Sequence, residues 1–195
     1  MRPHRKLVLT LCLLTSVGAA TGTAQTPGAQ QRARINDIDM AYLVQGTGEP
    51  LLLLHGFGGC GRDWAPFVEQ LAQHYQVIVP DLRGHGGSTN PATTFTHRQS
   101  GDDVLALLDH LGLPRARAMG ISTGGMTLLH AATKAPERID AMVLIGATSW
   151  FPGQARAIMR EVGKERPPGD SGRGTLDRAW RGACSDHGPP LRAVS

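Results

Sequence analysis

The sequence predicts an α/β fold built on a mostly parallel, doubly wound sheet, and three observations predict it. Short apolar runs at 51–54, 77–79 and 141–145 lack polar alternation, as strands buried on both faces do. Between them lie stretches whose apolar residues recur at helical spacing. The two kinds of segment take turns along the chain, which is the pattern of βαβ units and a parallel sheet.

The first 24 residues have the form of an export signal. Arg2, Arg5 and Lys6 make a positive start, residues 7–17 are apolar, and Gly22-Thr23-Ala24 offers a cleavage site before Gln25. The expected location is therefore outside the cytoplasm, in a periplasm or secreted. Residues 25–34 are polar with Gly and Pro and are expected to be a linker. The N-terminal part of the folded core is expected over 35–150.

Within that core, residues 38–44 alternate like one strand of a leading hairpin, and Gly46-Thr47-Gly48 forms the turn after it. The four leucines at 51–54 make a buried strand that ends at His55-Gly56. Residues 64–74 predict a helix, with Phe67, Val68, Leu71 and Tyr75 on one face. A strand follows at 76–80. A second amphipathic helix spans 102–111 and is stopped by Gly112. Residues 115–121 lead as a strand into Ser122, residues 123–135 form a helix that ends before Pro136, and 141–145 is one more strand.

Charge and composition exclude several functions. The formal charge of +4 falls to +1 without Arg2, Arg5 and Lys6, so no nucleic-acid partner is expected. Beyond the signal, no apolar run approaches the ~20 residues that span a bilayer, so no stable membrane span is expected after cleavage. No metal-ligand spacing and no phosphate-binding loop occur, and no cofactor or metal is expected. Cys12 leaves with the signal; Cys60 and Cys184 remain, and export permits a disulfide that two cysteines alone do not predict.

The chemistry centres on Gly120-Ile121-Ser122-Thr123-Gly124, a G-x-S-x-G pattern. A strand must turn sharply into a helix with the serine at the apex. Gly120 and Gly124 remove Cβ atoms that would collide in that turn. The Thr123 N–H, at the helix start, points where negative charge develops. His55-Gly56-Phe57-Gly58-Gly59 follows a buried strand beside the same sheet edge. Gly56 gives it a flexible backbone, the Phe57 N–H is the natural second oxyanion donor, and His55 has a structural rather than a catalytic role. Asp81-Leu82-Arg83-Gly84-His85-Gly86-Gly87-Ser88 is expected to be a rigid turn with an internal Asp–Arg pair.

In type, order and spacing these three motifs resemble the α/β-hydrolase superfamily: H-G-x-x-G, then D-x-R-G-x-G-x-S, then G-x-S-x-G. The resemblance covers roughly 35–150 and is nearest the esterase, lipase and C–C hydrolase branch. It implies acyl transfer on a small ester-like or other carbonyl substrate. Ser122 attacks, a histidine accepts its proton, an acid orients the histidine, and the Phe57 and Thr123 amides hold the oxyanion, roughly 2.7–4 kcal/mol per donor. Epoxide hydrolases and haloalkane dehalogenases resemble this elbow but carry Asp in place of serine. Two alternatives stay open: a non-catalytic binding protein of the same fold, and a cofactor-free haloperoxidase-like or C–C hydrolase-like enzyme.

In this family the acid and the histidine follow the elbow. Residues 151–162 suit the start of a lid helix, with Ala155, Ile158, Met159 and Val162 on one face. From Gly163 the pattern breaks. Residues 163–195 are rich in Arg, Gly, Pro and Asp and too poor in large apolar residues to offset ordering entropy. Asp177, Asp186 and His187 lie there with no strand to position them, and His187 is the candidate base. The expectation is a frameshifted or truncated stand-in for the C-terminal third, an incomplete sheet edge at 141–145, poor solubility and little turnover.

Overall fold

The computed structural model describes residues 28–92, 94–150, 152–154 and 157. The expected export segment, most of the expected lid helix and the 163–195 tail, with Asp177, Asp186 and His187, lie outside the described residues. So do Cys12 and Cys184; Cys60 is buried and disulfide-bonded.

Among the described residues six strands form one sheet. β1 (Gln30–Ile35) and β2 (Ile38–Gln45) pair as an antiparallel hairpin, and β2 lies antiparallel to β4 (Tyr75–Pro80). β3 (Glu49–Leu54), β5 (Ala116–Ile121) and β6 (Ile139–Ile145) join β4 in parallel, in the order β1-β2-β4-β3-β5-β6. The linker expected at 25–34 is corrected: Gln30–Ile35 is a strand. Of that strand only Ile35 is fully buried, so no apolar alternation marks it in the sequence. Its register with β2 and the Arg32–Asp39 ion pair hold it instead.

The all-leucine run of β3 is explained by its two covered faces. Leu52 and Leu54 join one core cluster with Leu107 and Leu128, under the helices α2 (His97–His110) and α3 (Thr123–Lys134). Leu51 and Leu53 join the other with Trp64 and Val68, under α1 (Ala65–Leu71). Each leucine so buried stabilises the fold by about 1.5–3 kcal/mol.

Two helices differ from expectation. A 3-10 turn at Gly61–Trp64 precedes α1 and offsets its phase. Trp64 and Val68 therefore face the sheet, Phe67 is 53% exposed, and Tyr75 already belongs to β4. Helix α2 starts five residues before the expected boundary, at His97, because Thr96 caps it by accepting the Gln99 N–H at 3.2 Å. Its first turns carry Ser100 and Gly101, which give no apolar signal yet are buried, Gly101 against α3. A Cβ on Gly101 would stand 3.1 Å from the Ala131 nitrogen, so the two helices meet backbone to backbone.

Among the described residues β6 is an open sheet edge, and Met142, Val143, Leu144 and Ile145 are each between 38% and 50% exposed. No described helix is long and apolar enough to cross a membrane.

Candidate active site

β5 ends at Ile121 and α3 begins at Thr123, leaving Ser122 alone to make the turn between them. It does so at φ 48° and ψ −111°, a conformation a non-glycine residue adopts only when its surroundings impose it. Two contacts impose it. The Ser122 N–H donates to the Ile145 carbonyl of β6 at 2.8 Å, and the Ser122 carbonyl accepts from Met126 N–H at 2.9 Å to close the first helical turn. The Ser122 N–H is thus occupied, while Thr123, at the first helical position, has no intrahelical acceptor for its own.

The flanking glycines let α3 lie against β3 and β5. A Cβ on Gly120 would come within 2.6 Å of the Gly125 nitrogen, and one on Gly124 would collide with the carbonyl oxygens of Leu54 and His55. Gly56 packs beside the elbow at ordinary contact distance: its Cβ would stand 3.8 Å from Ser122 Cβ. The structure therefore brings together Ser122, Thr123, Gly120 and Gly124 with the loop that carries Gly56 and Phe57.

His55 sets the direction of that loop. The Leu82 N–H donates to His55 Nε2 at 3.0 Å, which leaves the ring proton on Nδ1, and Nδ1 donates to the Gly56 carbonyl at 2.8 Å. The Gly59 N–H donates to the same carbonyl at 3.2 Å. In a trans peptide the carbonyl and the following N–H point opposite ways. Pinning the Gly56 oxygen with two donors therefore turns the Phe57 N–H away from the His55 ring.

This arrangement needs a neutral imidazole. Burial, the largest cause, pushes the His55 pKa from 6.5 down to about 4. The folded ring binds its proton less tightly than the unfolded ring, so stability is complete above pH 6.5. Stability then falls as the pH drops from 6.5 to about 4, by on the order of 3 kcal/mol. Burial lowers the pKa values of His85 and His97 as well, so they act in the same direction. Urea midpoints measured across that window should decline with acid, and His55→Gln should flatten the decline. An unchanged slope in His55→Gln would show that the window belongs to other groups.

The internal Asp–Arg pair expected in the 81–88 turn is corrected. The Asp81 carboxylate accepts the Gly61 N–H on Oδ1 and the Gly87 N–H on Oδ2, each at 2.7 Å. It fastens the turn to the segment that follows the Phe57 loop. Arg83 instead pairs with Asp103 of α2, Nε to Oδ2 at 2.7 Å, and with Asp37 at 2.8 Å. Sequence spacing favoured the nearer carboxylate, but both Asp81 oxygens are taken by backbone donors that no side-chain pattern reveals. His85 Nδ1 donates to the Arg83 carbonyl at 2.9 Å, and its ring meets those of Phe57 and Phe95.

None of the described histidines is hydrogen-bonded to Ser122 or to a carboxylate, and His187 lies outside the described residues. Among the described residues no group of three or more His, Cys, Asp or Glu is placed to hold a metal ion.

Comparison with known proteins bears on the same region. The family model described as "alpha/beta hydrolase fold" matches residues 49–162. The chain is 33% identical over 126 residues to a soluble epoxide hydrolase from Corynebacterium sp. (strain C12), covering 65% of this chain and 43% of that protein. It is 36% identical over 137 residues to 3-oxoadipate enol-lactonase 2 from Acinetobacter baylyi, covering 65% and 50%. A solved epoxide hydrolase without ligand superposes with a TM-score of 0.62 at 29% identity, over 69% of this chain and 50% of that one. The chain thus spans half or less of the length of these relatives.

Proposed function

Because the chain belongs to the α/β-hydrolase fold family, matched over residues 49–162, we propose that it is a serine hydrolase acting on a small ester-like carbonyl substrate through a Ser122 acyl-enzyme. The observation that carries this reading is the Ser122 backbone, held at φ 48° between β5 and α3 beside the Gly56 loop. A binding role has no need of a strained serine at the start of a helix. Ser122 also favours acyl transfer over epoxide opening, since family members of the latter kind that resemble this elbow carry Asp there. The resemblance to an enol-lactonase supports a carbonyl substrate.

In this proposal Ser122 Oγ attacks the carbonyl carbon, and the Phe57 and Thr123 N–H groups receive the developing oxyanion. The proton of Oγ passes to a histidine base, which the family places late in the chain; there this sequence offers His187 with no strand-like sequence to position it, so little turnover is expected. The export segment at 1–24 supports action outside the cytoplasm. No metal or cofactor enters the proposed reaction.

A fluorophosphonate probe tests the reading directly. Folded protein should be labelled at Ser122, and Ser122→Ala should remove labelling entirely. A wild-type chain that stays folded and unlabelled, or a Ser122→Ala chain that still labels, refutes it.

A further inference from the structure

We propose that the Phe57 ring is a specificity-determining surface that selects carbonyl substrates bearing an aromatic ring next to the scissile bond. The assignment rests on the serine-hydrolase proposal above. Phe57 is 68% exposed, more than any other large apolar residue described. Its own N–H is the proposed oxyanion donor, so a carbonyl bound there has its substituents within reach of the Phe57 side chain.

The ring is braced rather than loose. His85 meets it at 5.5 Å between centroids and 79°, and Phe95 meets His85 at 5.5 Å and 78°. His97 meets Phe95 in turn at 5.4 Å and 89°. His85 is fixed from behind by His55, at 5.3 Å, and by its contact with the Arg83 carbonyl. A row of three rings set edge to face, His85, Phe95 and His97, thus holds Phe57 out into solvent, where an exposed phenyl would otherwise fold back onto apolar surface. A flat aromatic group of the substrate completes the row with the geometry such pairs prefer, at centroid distances of about 4.5–7 Å. A saturated ring of the same size covers the same area without the edge-to-face match.

Two fluorophosphonates of matched size, one with a phenyl and one with a cyclohexyl group on phosphorus, separate these cases on the full chain. In each, Ser122 Oγ bonds to phosphorus, the P–F bond breaks, fluoride leaves and the hydroxyl proton goes to the base or the buffer. A second pair, with benzyl and cyclohexylmethyl groups on the phosphonate ester oxygen, tells an aromatic alcohol portion from an aromatic acyl portion. Wild-type protein should label about five-fold faster with the aromatic member of at least one pair. Phe57→Leu should bring that ratio to within about two-fold of one, and Phe57→Tyr should keep it, with folding checked by circular dichroism. Equal rates within both pairs in the wild type, or a preference that survives Phe57→Leu, overturn the assignment. Absence of labelling by all four probes overturns the hydrolase reading itself, and the role of Phe57 with it.

Discussion

Replacing Arg83 with methionine is expected to destabilise the fold by about 3–5 kcal/mol, read as a fall in the urea midpoint. The Arg83 side chain is fully buried and binds Asp103 with two prongs, Nε to Oδ2 at 2.7 Å and Nη2 to Oδ1 at 2.9 Å. Its remaining donors reach Asp37 at 2.8 Å and Asn90 at 3.2 Å, and Asn36 donates to Asp103 at 2.8 Å. One guanidinium therefore joins the β1–β2 turn, the loop after β4 and helix α2. Without it Asp103, 1% exposed, keeps a charge with a single amide donor in reach. Lysine should rescue little, because a point charge cannot serve both prongs of the fork. The double replacement Arg83→Met, Asp103→Leu should recover most of the loss, since an apolar pair of similar volume is often as stable as a buried ion pair. Asp37→Asn should change stability by less than about 1 kcal/mol, because the Asp37 side chain is 47% exposed. If the single Arg83 replacement and the double one lose equally, an unpaired Asp103 is not the cause.

That network also shows where sequence stops being legible. The four leucines of β3 announced a strand covered on both faces, and the split of Leu51 and Leu53 from Leu52 and Leu54 bears this out. The elbow could be foreseen for the same reason: Gly120, Ser122 and Gly124 satisfy a steric demand that operates within five residues. Arg83 could not be assigned its partner, because Asp103 lies twenty residues away and only the packing of α2 brings it close. β1 was missed because a polar edge strand derives its order from its neighbour and not from a buried face of its own. The start of α2 was missed because its first buried residues, Ser100 and Gly101, are small, Gly101 to allow contact with α3, and small residues read as loop. The expectation that His55 is structural is matched by two backbone bonds to its ring. The pinning of the Gly56 carbonyl by His55 Nδ1 and the Gly59 N–H is a property of one peptide plane that no residue pattern encodes.

Gly124→Ala is the variant in which steric demand and chemistry meet most directly. The added methyl would collide with the carbonyl oxygens of Leu54 and His55, which are strand and loop backbone with no rotamer to change. Either α3 withdraws from β3 or the His55–Gly56 segment is pushed aside, and both movements separate the Thr123 N–H from the Phe57 N–H. A misplacement of about 1 Å at such a site lowers rates by roughly 100-fold, and overpacking of this kind lowers stability by about 1–3 kcal/mol. The expected result is folded protein whose Ser122 is labelled by a fluorophosphonate about 100-fold more slowly than in the wild type. Gly56→Ala is the informative contrast. Its methyl meets Ser122 Cβ at 3.8 Å, an ordinary contact, so its stability should stay within about 0.5 kcal/mol of the wild type. Wild-type labelling rates in Gly124→Ala would mean that the helix start and the Phe57 loop do not act together, and the paired-amide site would have to be abandoned.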